Sequence, residues 1–506
     1  MPIGAFITCV GIDFISEPIE ELAMVSEKLD VAFHPRSIAV VGASGNPSSM
    51  GYRFVLHLLN YGYRGQIYPV AMNWSEVLGL KAYPALKDVP GTVDYVICCL
   101  PALKVSEFLS QCPQRGVQVV HLYTARFSET GSKDAARLEA RILRQARKLG
   151  IRLIGPNCMG MYHPGEGIAF AYDFPTEPGK VGVLSQSGGA ATEFINYASL
   201  RGIRFSKVIS YGNALDLNEA DYLEYLSQDP ETEVIASYIE GVKDGRRFFD
   251  VLGRASRSKP VIVLKAGRGS AGARAAASHT GALAGSLTTW EAAIKQAGAI
   301  QAWNLKDMMN LVVSFSFLPP VVGTRVGVVG GGGGMSVLSA GGWEEAGFNV
   351  VPLSPEIEQE IEKTVPELWW GWIRNPVDVS IFPDEARTSN LGANILRMMA
   401  QSPHFDLVVA NITVGGPFSG AELAGTAKIE VENIMGIKRN ATKPVAVVLN
   451  TGTLGVEDFD SQRWRGLAEQ KANLIRAQIP VYSTTEEAAS AIIQVVSYYQ
   501  RREAIG

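Results

Sequence analysis

From about residue 36 to the end, short apolar runs alternate with longer stretches in which apolar positions recur every three or four residues. The runs Ser37–Val41, Gln66–Val70, Val93–Leu100, Val117–Tyr123 and Ile151–Ile154 have the length and branched side chains of buried strands. The stretches between them have helical spacing. This alternation predicts βαβ units, parallel sheets and an α/β fold. Further on, Val261–Gly267 opens as a buried strand. Ser286–Gly298 predicts a helix with a hydroxyl start and a glycine stop, and Glu486–Arg502 a last helix. Pro/Gly-rich breaks at 175–179 and 319–323 divide the chain into domains 31–175, 176–320 and 321–506, after an extension, 1–30, expected to be loosely attached.

The second and third domains look like diverged copies. VGVLSQSGG at Val181–Gly189 aligns with VGVVGGGGG at Val326–Gly334, and NALD at Asn213–Asp216 with NPVD at Asn375–Asp378. Val234–Gly241 aligns with Leu407–Val414, and Val261–Lys265 with Val445–Leu449. Four matches in one order imply two doubly wound domains of one type. The first copy alone has an acid at Glu240 and a histidine at His279, so the third domain reads as a structural partner lacking the reactive pair.

Composition narrows the class. At 506 residues, 47% hydrophobic and 19% charged, the chain has the balance of a multidomain globular protein. A net charge of −4 gives no basic field for nucleic acid. No apolar run reaches the ~18 residues that cross a bilayer. The apolar N-terminus lacks a basic region and is followed by Asp13, Glu17, Glu20 and Glu21, a poor pattern for a signal peptide. Cys9, Cys98, Cys99, Cys112 and Cys158 are odd in number and lack zinc-type spacing, which suits a reduced cytoplasmic compartment and no metal site.

The candidate chemistry centres on ASHTGA at Ala277–Ala282, with Arg268 and Arg274 upstream. An imidazole on a small-residue loop after a strand is suited to carry a group between sites. Glu240 ends a predicted strand and faces the ligand crevice of an open sheet. It can accept a hydrogen bond from one ring nitrogen of His279 and leave the other as nucleophile; without that partner it is a surface acid opening a charged helix. Each copy opens with a strand, a glycine-rich turn and a helix. The unpaired amides and dipole of a helix start favour an anion. The candidate phosphate-binding residues are Ser185, Ser187, Gly188 and Gly189 in the first copy and Gly331, Gly332 and Gly333 in the second. Such a turn serves either as a tight connection or as an anion cradle. Facing domains would aim both helix starts at one phosphate on His279, with no metal needed.

The first domain opens with a nucleotide-type strand–turn–helix around Gly42, Ser44, Gly45 and Asn46, where Ser44 and Pro47 take the second and third glycine positions of G-x-G-x-x-G. No acid follows the next strand, which disfavours NAD and leaves another phosphate-bearing ligand. Pro101, Asn157 and Cys158 follow later strands on the same expected edge and are either ligand contacts or plain turns. Trp369, Trp370 and Trp372 either line an acyl pocket or form an apolar cap or subunit contact.

The Gly42 turn, GPNC at Gly155–Cys158, SQSGG at Ser185–Gly189, Glu240 with DGR at Asp244–Arg246, SHTG at Ser278–Gly281 and NPVD at Asn375–Asp378 together resemble the alpha-subunit side of the NDP-forming acyl-CoA synthetases, the superfamily of succinyl-CoA synthetase. The likeness covers roughly residues 30–500. It implies a Rossmann-like CoA-binding domain followed by two flavodoxin-like ligase domains. It also implies a reaction joining a carboxylic acid to CoA with ATP, through an acyl phosphate and a phosphohistidine at His279 oriented by Glu240. Gly42, Ser44, Gly45, Asn46, Pro101, Asn157 and Cys158 would then meet CoA. The chain shows no ATP-grasp module, so ATP/ADP and Mg²⁺ are expected on a separate ATP-grasp beta subunit, in an α₂β₂ assembly. One departure is Ala71-Met72-Asn73, where family members commonly read Asn-Pro-Lys, which removes a basic contact near the CoA phosphates. Two other readings are a CoA-binding regulatory protein that has lost catalysis and an acyl or carbamoyl transferase that works without ATP.

Overall fold

The computed structural model describes residues 19–269, 271–272, 287–366, 373–383, 386, 390–413, 420–450 and 461–504. Three five-stranded parallel arrays follow one another along the chain. The first runs, in spatial order, Gln66–Val70, Ser37–Val41, Tyr95–Cys98, Val119–Leu122 and Arg152–Ile154. The second runs Phe205–Ser210, Val181–Ser185, Val234–Ile239, Val261–Lys265 and Ile300–Ala302. The third runs Asn349–Val350, Arg325–Gly330, Leu407–Thr413, Val445–Asn450 and Val481–Tyr482. Each array places its opening strand second, so each reverses direction beside that strand. The crevice beyond its carboxyl end is where open α/β sheets bind ligands. The central strands are buried along their length because helices cover both faces, hence their unbroken apolar runs.

The sequence-predicted elements recur here within a residue or two. The helix expected over Ser286–Gly298 is described from Leu287 to Gln296, with Gly298 at φ +76° just beyond its end. The last helix runs Thr485–Glu503. Residues 19–30 depart from the expectation of a loose extension. They belong to a helix, Ile19–Phe33, whose Val25, Leu29 and Phe33 are buried at four-residue spacing in the core. This apolar stripe docks the helix, and Lys28 donates to the Gly150 carbonyl at 2.6 Å.

The joints between domains determine where the crevices face. After the first sheet the chain adds a strand, Gly160–Tyr162, antiparallel to Phe205–Ser210 at the edge of the second sheet. Beside it, Asp216 accepts from Arg152 Nε at 2.7 Å and from the Leu153 amide at 3.0 Å, and lies 3.5 Å from Arg147. The NALD segment thus ties the second domain to the last strand of the first.

The second and third domains join through helices Leu305–Phe317 and Thr485–Glu503, which lie side by side. Lys306 meets Glu487 near their starts at 2.5 Å, and Phe315 stacks edge-on against Tyr498 near their ends. At the opposite edge, Arg201 donates to the Val481 carbonyl at 2.6 Å and Gly202 lies against Ile475. Both helices follow the last strand of their sheet and run in the same sense. The carboxyl edges of the two sheets therefore open toward the same side.

Removing a partner from a buried ion pair leaves an uncompensated charge, at a cost of about 3 kcal/mol or more. Asp216→Ala is expected to lose about that much stability in the first two domains, and Asp216→Asn less, because the amide oxygen still accepts from Leu153. Chemical denaturation with a probe in each domain measures both; an Ala variant within about 0.5 kcal/mol of wild type would exclude the tie.

Candidate functional site

The carboxyl edge of the second sheet begins at the turn after Val181–Ser185. Ser187 caps helix Gly188–Ser199 by accepting from the Ala190 amide at 3.2 Å. Among the described residues its hydroxyl hydrogen has no acceptor. Ser185, expected to offer a second donor, is buried and turned inward: its hydroxyl donates to the Ser187 carbonyl at 2.7 Å and accepts from the Ser187 amide at 3.2 Å. It shapes the turn. Gly188 is needed because Met159 approaches so closely that a Cβ would lie 2.5 Å from its Cγ. That contact brings the Asn157–Met159 loop beside the Ser187 turn.

Glu240 sits on the next strand end, buried at 9% exposure. Two neighbours fix its backbone. The Gln186 side chain accepts from the Glu240 and Gly241 amides and donates to the Gly241 carbonyl at 2.9 Å. Lys265, at the end of the strand on the other side, donates to the Glu240 and Ala266 carbonyls at 2.6 Å and lies 5.8 Å from the centre of the Trp290 ring. Burial pulls the Lys265 ammonium below its ordinary pKa, and Glu240 partly offsets this. Burial raises the phenols of Tyr211 and Tyr238, and the charge on Glu240 adds to the shift at each. Three adjacent strand ends thus form a shelf under one carboxylate. Gln186 and Lys265 were missed as functional residues in the sequence. Their one legible signal was a polar residue at the carboxyl end of an apolar strand.

In the third domain Gly330 and Gly331 have φ of +111° and +86°. A Cβ on Gly330 would come within 2.1 Å of the Asn411 carbonyl oxygen. Gly332 caps helix Gly333–Glu345 with no side-chain bond, leaving its first amides unpaired by a cap. Asn375 holds this turn from behind, accepting from the Val328 amide at 2.8 Å and donating to the Val326 and Val351 carbonyls. Asp378, held by the Ser380 amide and hydroxyl, lies beside Gly333. NALD and NPVD therefore differ in use. Asp216 ties two domains together, whereas Asp378 sits at a helix start.

On the first sheet's carboxyl edge, Gly42 has φ +90°, and its amide and that of Ala43 donate to the Val70 carbonyl. Ser44 accepts from the Asn46 amide at 3.0 Å, Asn46 from Ser48, and Ser49 caps helix Met50–Asn60. The half-exposed Trp74 ring lies over Gly45, which has no side chain to displace it. Pro101 caps helix Ala102–Leu109 at the neighbouring strand. Asn157, at φ +57°, donates its amide to the Thr124 carbonyl, and its side chain reaches Asn213 at 3.4 Å. Cys158 departs from its expected contact role. Its thiol is buried, aims at the Leu122 carbonyl and is held protonated by burial, so its side chain faces the core. His279, Trp369, Trp370 and Trp372 lie outside the described residues.

Residues 36–164 match the model of a CoA binding domain, and residues 178–315 that of a succinyl-CoA ligase like flavodoxin domain. The alpha subunit of the ADP-forming acetate–CoA ligase II of Pyrococcus furiosus is 36% identical, over 92% of this chain and 97% of that one. The ADP-forming 4-hydroxybutyrate–CoA ligase of Nitrosopumilus maritimus is 32% identical, over 77% of this chain and 55% of its own length. Among solved structures, the dinucleotide forming acetyl-coenzyme A synthetase 1 of Ca. Korarchaeum cryptofilum, in complex with phosphate and ADP, is similar at a TM-score of 0.80 and 32% identity, over 94% of this chain and 97% of that one.

The Gln186 clamp predicts a local effect. Gln186→Leu keeps the volume but strands two buried amides, at about 2 kcal/mol of stability. Amide hydrogen exchange at Glu240 and Gly241 should accelerate more than tenfold while the Val261–Lys265 strand changes less. Unchanged protection at both amides would show that the clamp contributes nothing.

Proposed function

The chain belongs to the ADP-forming acyl-CoA ligases, as an alpha subunit, and from that premise we propose that its acid–thiol ligation passes through a phosphohistidine on His279. A phosphoryl group moves from ATP on a partner to a ring nitrogen of His279; an N–P bond forms and ADP leaves. A carboxylate oxygen of the acid then attacks phosphorus, giving an acyl phosphate and restoring the imidazole. CoA supplies the thiol that takes the acyl carbon as phosphate departs.

The residues of this chain divide that work. Glu240, on its three-strand shelf, accepts from the other ring nitrogen of His279 and sets the tautomer. Ser187, Gly188 and Gly189 offer amides and a hydroxyl to the phosphoryl oxygens from one side, and Gly331, Gly332 and Gly333 offer amides from the other. The CoA portion fits the first domain's switch point. There Gly42 gives the left-handed bend of the turn, Gly45 seats the Trp74 ring beside it, Ser44 and Asn46 shape the turn, and the helix starting after Pro101 adds unpaired amides. The Asn157 loop links this crevice to the Ser187 turn through Met159.

The observation that carries this reading is the common orientation of the second and third domains, which opens two glycine-rich helix starts toward one side. A separate ATP-grasp beta subunit would bring ATP and Mg²⁺, in a hetero-oligomer in the cytoplasm. Among the described residues no helix is long and apolar enough to cross a membrane. The relatives act on acids as different as acetate and 4-hydroxybutyrate. A screen of carboxylic acids with the reconstituted complex will identify the one used here.

With the partner subunit and ATP labelled at the γ-phosphate, wild type should take up acid-labile, base-stable label and His279→Ala none. Glu240→Gln should slow labelling at least tenfold, roughly the cost of losing an orienting carboxylate. An active complex that never labels, or His279→Ala labelled like wild type, would overturn the phosphohistidine.

A further inference from the structure

Far from these crevices, at the amino edge of the second sheet, three segments bring together groups that the ligation does not use. His34 follows the Ile19–Phe33 helix. His163 follows the Gly160–Tyr162 strand. Glu231 lies in the loop before Val234–Ile239. One potential ligand atom from each lies within 4.8 Å of the other two. His163 is 2% exposed, and neither of its ring nitrogens has a hydrogen-bond partner among the described residues. A buried imidazole with two unanswered nitrogens is costly unless something answers them. The strand turn that carries it is fixed by reciprocal bonds between His163 and Ile168.

The surroundings favour a cation. His163 Nε2 is 3.7 Å from Glu231 Oε2. His34 Nδ1 is 3.0 Å from Glu166 Oε1, and its Nε2 is 3.9 Å from Asp30 Oδ1. With Asp229 nearby, four carboxylates gather here against two ammoniums, Lys207, which pairs with Asp229 and Glu231, and Lys259, which also reaches Asp229. Lys207 is anchored on Asp229 at 2.9 Å and also binds Glu231 Oε2, the oxygen that faces His163, which leaves Glu231 Oε1 for a metal. Burial chiefly, with Lys207 and His34 adding to it, holds the His163 ring below its ordinary pKa, at about 4.

We propose that His34, His163 and Glu231 form a binding site for a divalent transition metal of the zinc class. Two imidazoles and a carboxylate suit Zn²⁺, Co²⁺ or Ni²⁺ better than Mg²⁺ or Ca²⁺, which favour all-oxygen shells. A fourth position falls to water or to Glu166. Closing from 4.8 Å to the roughly 3.3 Å that separates ligands at ~2.0 Å from a tetrahedral centre needs small side-chain movements. His34 and Glu231 are the two more exposed members and would make them, Glu231 turning about its contact with Lys207, while His163 stays fixed. The site would staple the helix ahead of the CoA-binding domain to the ligase domain. It would be structural, distant from the phosphoryl chemistry.

Titration of the chelator-treated full chain with Co²⁺ tests this. Wild type should bind one equivalent with the intense visible absorption of a four-coordinate centre, and Zn²⁺ should displace it. His34→Ala and Glu231→Gln should each weaken Zn²⁺ binding at least tenfold, roughly the sensitivity of metal sites to losses at or near the ligands. His163→Ala should abolish binding; because it empties a buried position, circular dichroism must show it folded, and the two exposed variants carry the test if it is not. His404→Ala, a histidine elsewhere, should bind as wild type does. No stoichiometric Co²⁺ binding, or binding unchanged in His34→Ala and Glu231→Gln, would overturn the site.

Discussion

The architecture depends on two helices, Leu305–Phe317 and Thr485–Glu503, packed side by side and in the same sense. Each is the last helix of its own α/β unit; Phe315 of one packs on Tyr498 of the other, and Leu311 and Val495 along them are buried in the same core. Burying a large apolar side chain is worth about 1.5–3 kcal/mol, so several such residues fix the pairing firmly. The polar contacts at the ends set its direction. Were the helices antiparallel, one crevice would open on each side of the molecule and two helix starts could never serve one ligand.

That pairing gives the repeat in the sequence its meaning. The two units keep the same strand order and the same glycine-rich opening turn, yet each has adapted one segment differently. In the second domain the chain after strand Phe205–Ser210 passes directly to NALD, where Asp216 is drawn back to Arg152 of the first domain. In the third, helix Pro355–Thr364 is inserted before NPVD, and Asn375 now braces the opening strand of its own sheet. Similar spelling in two copies did not mean equal contacts, because an interface claimed one copy and not the other.

Legibility followed the same line. Strand positions, the helix stop at Gly298 and the glycine turns were visible because period and turn chemistry are local. The docking of the Ile19–Phe33 helix was not, because its short apolar stripe follows an acidic, apolar stretch without a clear start signal. Gln186 and Lys265 escaped notice for a different reason. Their roles exist only when three strands are ordered side by side, and strand order is a long-range property. Cys158 misled because its loop lies beside the Ser187 turn, while the thiol itself faces inward. His163 carried no local signal; its meaning came from a helix and a loop distant in sequence.

The electrostatics of the candidate phosphoryl site follow from what Lys265 does not do. Its ammonium is tied to two carbonyls on the shelf beneath Glu240. In the proposed cradle, the described residues would offer counter-charge chiefly from the two helix ends, each equivalent to about half an elementary charge. A phosphoryl group carries roughly −1.5 to −2 at neutral pH, so two helix starts neutralise about half of it. Partial neutralisation suits a group that must leave again, since a lysine pair would hold it too tightly to be passed on. The two ends are also unequal. Asp378 lies beside Gly333 and sets a fixed negative charge against the third domain's helix start, whereas the Ser187 cap is neutral. On the proposed function the second domain would therefore supply the stronger pull and the third domain would mainly close the cradle, in keeping with a repeat in which one copy alone has the acid and the histidine.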